Sequence, residues 1–162
     1  MVLAEDEAAL GVLCARPEVD GERIACAGLS GGGLRTVYLA GMDDRIRASI
    51  CVGFMSTWRD PIFHQCDHWT WMMFASLLPK YLEWAEVLGM AAPAQTLVQN
   101  NTDDPLYTLR EMQRADRIMS RVYAKAGAAA HYSCRFFPGG HKFDRPMQED
   151  AFAWLDERLR NR

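Results

Sequence analysis

The chain has 162 residues, 49% hydrophobic and 24% charged, with a formal net charge of −3. That length supports one domain with a sizeable core, and the composition excludes collagen-like, disulfide-scaffold and disordered classes. Basic residues are spread among acidic ones, which argues against a nucleic-acid or membrane surface, and no apolar stretch is long enough to span a bilayer. Met1-Val2-Leu3-Ala4-Glu5-Asp6-Glu7 has no basic n-region and does not read as a secretory signal. Five cysteines, an odd number without paired spacing, read as buried thiols in a reducing compartment, so a cytoplasmic location is expected.

Leu3 to about Ala15 reads as a helix with Leu3, Leu10 and Leu13 on one side. Pro17 stops it, because the residue before a proline avoids helical angles. Pro17-Glu18-Val19-Asp20-Gly21 is a turn into a strand, Ile24–Ala27, which runs straight into Gly28-Leu29-Ser30-Gly31-Gly32. The helical pattern of Leu34, Val37, Tyr38 and Leu39 follows at once. Further strands are expected over Ala48–Gly53, Thr96–Gln99 and Tyr132–Phe137. Met112, Ala115, Met119, Val122, Tyr123 and Ala126 mark a helix before the last strand, and Met147, Ala151, Trp154 and Leu155 a final one. Strands alternating with helices predict an α/β fold, a short parallel sheet of four strands flanked by helices. Residues 55–93 break the rhythm and, rich in Trp and Met, read as a helical insertion over the sheet within a single domain spanning residues 1–162.

Gly-x-Ser-x-Gly between strand and helix is the context of a nucleophile elbow. A serine on so sharp a turn takes a strained backbone conformation, and only glycine lets strand and helix approach it. A serine nucleophile needs a base, and the base an orienting carboxylate, each on a loop after a strand. After the third strand stand Asp103 and Asp104. Asp104 is favoured because Pro105 fixes the chain just behind it, although Asp103 competes. After the fourth strand, Gly139-Gly140-His141-Lys142-Phe143 offers His141. His131 begins a strand and reads as structural. His64 and His68 lie one helical turn apart, but no third ligand stands near, so no metal is assigned. Phe54, Met55, Trp58, Trp69, Trp71, Met72 and Met73 carry more apolar bulk than a crossover requires. Part of that set, with Phe54, Met55, Trp69 and Trp71 foremost, is expected to wall an acyl pocket, against the alternative that it merely covers the sheet.

On these stretches, together with Arg16-Pro17-Glu18-Val19-Asp20 and Leu39-Ala40-Gly41-Met42-Asp43-Asp44-Arg45-Ile46, the chain resembles the C-terminal half of α/β-hydrolase-fold esterases of the acetyl xylan esterase and dienelactone hydrolase-like group. The resemblance implies a truncated α/β-hydrolase fold, with Ser30 as nucleophile, His141 as general base and Asp104 as its orienting acid. Ser at position 30, where dienelactone hydrolases have Cys, shifts the expectation toward carboxylesters. The strands that precede the elbow in that group, and the loop giving half of its oxyanion hole, have no counterpart in this sequence. That leaves the Gly31 N–H as the assigned donor. The expected activity is hydrolysis of small acyl esters, without a cofactor. The rivals are a weak or inactive half-domain that acts through association and a peptidase-type amide hydrolase. Ile24–Ala27, uncharged and without proline, would stand as an unguarded strand edge, so a homodimer or higher homo-oligomer is expected.

Overall fold

Four short runs of small, β-branched and apolar residues form a parallel sheet in the order β1-β2-β3-β4: β1 (Ile24–Leu29), β2 (Ile46–Val52), β3 (Gln95–Asn101) and β4 (Tyr132–Phe137). The computed structural model describes residues 2–64, 66, 73 and 75–160. Around the sheet lie α1 (Val2–Cys14), α2 (Gly31–Met42), α3 (Arg59–Phe63), α4 (Leu78–Tyr81), α5 (Trp84–Gly89), α6 (Leu109–Lys125) and α7 (Arg145–Arg160). No described helix is long and apolar enough to cross a membrane.

The four expected strands are present: β4 has the expected bounds, β1 and β3 run past theirs, and β2 starts two residues earlier and ends one residue earlier than expected. Arg47 looks like a strand stop, yet it lies within β2 and turns outward to the carboxylate of Glu22 at 2.9 Å. Asn100 and Asn101 look like loop, but both are buried in β3, their amides donating to the Met55 carbonyl at 3.0 Å and the Met147 sulfur at 3.3 Å. Amide groups that find acceptors in this way can be buried at little net cost, although Oδ1 of Asn100 is buried without a partner among the described residues. β1 is an edge strand of this sheet, with Ala27 and Leu29 exposed.

The two faces are covered unequally. On one, α2, α5 and α6 bury Val37, Leu88, Met112, Met119 and Tyr123 with Phe54 and Trp84. On the other, α7 lays Met147, Ala151 and Trp154 over Ala48, Ile50, Val52 and Leu97. The α6 contribution follows from its sequence, since Met112, Ala115, Met119 and Tyr123 recur at helical spacing. Each large apolar side chain so buried contributes about 1.5–3 kcal/mol before entropy is counted. Tyr123 carries its hydroxyl into this face to bond Thr96 at 2.7 Å and donate to the Ala94 carbonyl at 3.0 Å.

All five cysteines are free thiols. The expectation that they are buried holds for Cys51 only; Cys14, Cys26 and Cys134 are half-buried and Cys66 is exposed. Burial pushes the Cys26 thiol up to about 12, so it stays protonated and unreactive near neutral pH.

Candidate active site

The strand register brings the C-terminal ends of all four strands to one edge, with Leu29 beside Val52, Val52 beside Gln99 and Asn101 beside Phe137. The ladder continues into the loops. Ser30 N–H donates to Val52 O at 2.9 Å, Gly53 N–H to Gln99 O at 2.8 Å and Thr102 N–H to Phe137 O at 2.9 Å. Residues that follow β1, β3 and β4 are therefore held on a common rim.

Ser30 sits between β1 and α2 at φ 59° and ψ −116°, a conformation that costs a non-glycine residue about 1–3 kcal/mol. Its neighbours accommodate it through missing side chains. A Cβ added to Gly28 would lie 2.3 Å from the Gly32 backbone, so strand and helix meet at this distance only because position 28 is glycine. The first N–H groups of α2, starting with Gly31, have no intrahelical carbonyl partner, as at any helix start, and they favour negative charge. The space over Gly31 and Gly32 is open, since an added Cβ at either would meet nothing within 4 Å.

On the other side of the rim, His141 Nδ1 lies 2.7 Å from Asp104 Oδ2. The Asp104 side chain is fully buried, and its other oxygen accepts the Leu106 N–H at 2.9 Å. A carboxylate only accepts, so the contact suits the tautomer with the proton on Nδ1, which leaves the Nε2 lone pair free to act as a base. The imidazole lies over Gly53, where an added Cβ would be 3.2 Å from its Cε1. Gly53 has φ +56° and directly follows Val52, the residue whose carbonyl accepts the Ser30 N–H. One turn after β2 thus abuts both the elbow and the imidazole.

Asp103, the competing acid, does different work. Its carboxylate accepts the Gly139 N–H at 2.8 Å and the Thr102 hydroxyl at 2.9 Å, and its own N–H donates to Gly139 O at 3.1 Å. These bonds tie the loop after β3 to the loop after β4. The Gly139 amide first, and then the Thr102 hydroxyl, hold the Asp103 carboxyl below the usual carboxylate range.

Of the apolar residues expected to wall a pocket, those that the structure describes lie in the core. Phe54 is 1% exposed and Met55 0%, and Phe54 packs against Trp84 at a ring separation of 4.8 Å. Neither presents surface to a substrate, because the chain turns inward after Gly53 and buries both in the core. Trp58 and Met73 are also core residues. Trp69, Trp71, Met72 and His68 lie outside the described residues. His64 is exposed just after α3, and among the described residues no group of three or more His, Cys, Asp or Glu is placed to hold a metal.

Sequence reasoning missed Asp60. Buried at 1% exposure, it accepts the Ser56 hydroxyl together with the N–H and hydroxyl of Thr108, the residue that caps α6. It anchors the far end of the loop that carries Asp104. A sequence signal existed, because Thr108-Leu109-Arg110-Glu111 has capping-box spacing and marks a fixed helix start four residues after Asp104.

No protein-family model matches the chain. A Bacillus subtilis (strain 168) protein named "Putative hydrolase YtaP" is 25% identical over 98% of this chain and 54% of its own length. Among solved structures, a carbohydrate esterase family 15 glucuronoyl esterase from Caldicellulosiruptor kristjansonii superimposes with a TM-score of 0.77 at 16% identity, covering 99% of this chain and 50% of its own. "Methylesterase BT1017" gives a TM-score of 0.74 at 22% identity over 96% of this chain and 34% of its own. The fold is that of the α/β-hydrolase esterases, and the chain spans about half the length of the relatives it matches.

Proposed function

We propose that the chain is a serine carboxylesterase that hydrolyses small acyl esters through Ser30, His141 and Asp104. The observation that carries the reading is the 2.7 Å contact of His141 with buried Asp104, beside the Gly53 turn that also borders the strained Ser30 elbow. The likeness to esterase structures supports ester chemistry, and the carbohydrate esterases among them favour an ester borne on a sugar.

Nε2 of His141 takes the hydroxyl proton as Ser30 Oγ attacks the ester carbonyl, and Asp104 stabilises the imidazolium through Nδ1–H. The Gly31 N–H, at the positive end of α2, faces the developing oxyanion. The imidazolium then returns its proton to the departing alcohol, leaving an acyl-Ser30. Water, deprotonated by His141, releases the acid and restores the serine.

The test is hydrolysis of p-nitrophenyl acetate by the unaltered chain and by Ser30→Ala. The proposal expects steady turnover that falls to background in the variant. Equal rates in both would refute it. A matched acetanilide should be cleaved far more slowly, and comparable rates would favour the amide-hydrolase reading instead.

A further inference from the structure

Most arginines of this protein are neutralised at close range. Arg16, Arg23, Arg47, Arg145 and Arg160 each reach a carboxylate at 2.6–2.9 Å. Helix α6 departs from that pattern. Arg110, Arg114, Arg117, Arg121 and Lys125 are spaced by four, three, four and four residues. At 100° per residue they fall within an arc of about 80° and form a row about 22 Å long. Among the described residues, no carboxylate pairs with Arg117, Arg121 or Lys125 in a salt bridge. Arg110 and Arg114 share one partner, Glu111, at 3.8 and 3.7 Å, and Arg59 approaches the same carboxylate at 3.9 Å. Glu111 is itself buried, turned inward to accept the Thr57 hydroxyl at 2.7 Å. The other acid of the helix, Asp116, accepts the Tyr132 hydroxyl. A surplus of positive charge is therefore concentrated on one helix face of a protein whose net charge is −3.

The row has a direction. Its Arg110 end begins six residues after Asp104, at the capped start of α6, and Arg59 joins it there from the segment after β2. From that end the row runs along α6 toward Lys125. Arg114, Arg117, Ser120 and Arg121 line a shallow groove of about 500 Å³ along it. A row of cations at intervals of about 4.5–6 Å suits a chain of repeating anions rather than one compact ligand.

We propose that this face of α6 is a binding track for a carboxylate-bearing polysaccharide, the polymer whose ester groups reach Ser30; the inference rests on the hydrolase reading above. A polyuronate supplies what both sites need. Its sugars carry ester groups, and its free carboxylates, one per uronate, form bidentate pairs with guanidinium groups. The track holds the flanking chain by charge while the rim acts on one ester at a time. Binding through such contacts weakens as salt rises.

The experiment is electrophoresis of the native chain through gels containing polygalacturonate, dextran or a single-stranded oligodeoxynucleotide. Retardation by polygalacturonate alone is expected, weakened about tenfold or more in Arg117→Gln/Arg121→Gln. Hydrolysis of p-nitrophenyl acetate serves as the control, and the double variant is expected to keep it, since neither arginine belongs to the catalytic groups. No retardation, equal retardation of chain and variant, or oligonucleotide binding as strong as uronate binding would overturn the track. Absence of turnover by the unaltered chain would count against the hydrolase reading, separately from the track.

Discussion

The loops after β1, β3 and β4 and the segment after β2 follow adjacent strands of one sheet, but they are built on opposite principles. The first three are short and held by backbone hydrogen bonds from Ser30, Thr102, Asp103 and Gly139 to neighbouring strands and loops. They present polar side chains on a fixed rim. The segment after β2 turns inward at Gly53 and spends Phe54, Met55 and Trp58 on the core against Trp84. Position is fixed by hydrogen bonds in one region and by apolar volume in the other. Substitutions should therefore lose different things: rate with little stability at the catalytic side chains of the rim, stability without selectivity in the segment.

The largest effect is expected from His141→Ala. Ester hydrolysis should fall by about 10⁴ while the thermal midpoint moves little, as read by initial rates and a melting curve. Retained turnover would break the assignment of the rim. Trp84→Ala should do the reverse. It removes a fully buried indole packed on Phe54 and Trp58, so denaturant titration should show a loss of about 3–5 kcal/mol. Phe54→Leu sharpens the contrast. A loss of about 1 kcal/mol with unchanged acyl-chain preference is expected. A shift in preference across acetyl, butyryl and hexanoyl esters at equal stability would return Phe54 to the pocket.

The smallest effect concerns the clamp between the acid and histidine loops. The Asp103 carboxyl is held below its usual range, so it contributes stability above the unfolded aspartate value of about 3.9 and loses it as pH falls through the depressed folded value. The stability gap between the unaltered chain and Asp103→Asn should be full at neutral pH and shrink on acidification below that range. A gap that stays constant from pH 7 to pH 2 would show that the ionised carboxylate is not what closes the clamp.

This contrast also explains what was legible in the sequence. Ser30, Asp104 and His141 stood out because the strand-end loops are short and their chemistry is local: two glycines around a serine, an aspartate before proline, a histidine after two glycines. The division of labour between Asp103 and Asp104 was only half legible. Adjacent aspartates look alike until the fold brings Gly139 to one and His141 to the other. Phe54 and Met55 were misread because aromatic bulk after a strand fits a pocket wall and a core equally well. The choice was made by the positive φ of Gly53, a tertiary feature that composition does not carry. Asp60 was missed for a similar reason. Its partners Ser56 and Thr108 are far apart in sequence, and only the helix cap at Thr108 left a trace.

The central claim is that Ser30 is an activated nucleophile, and one measurement reaches it without assuming a substrate. The chain is incubated with a fluorophosphonate, its intact mass is recorded, and the adduct is located by peptide mapping. The account predicts a single adduct on Ser30 that is absent in Ser30→Ala and much slower to form in His141→Ala. No adduct, or one on another serine that persists in Ser30→Ala, would contradict it.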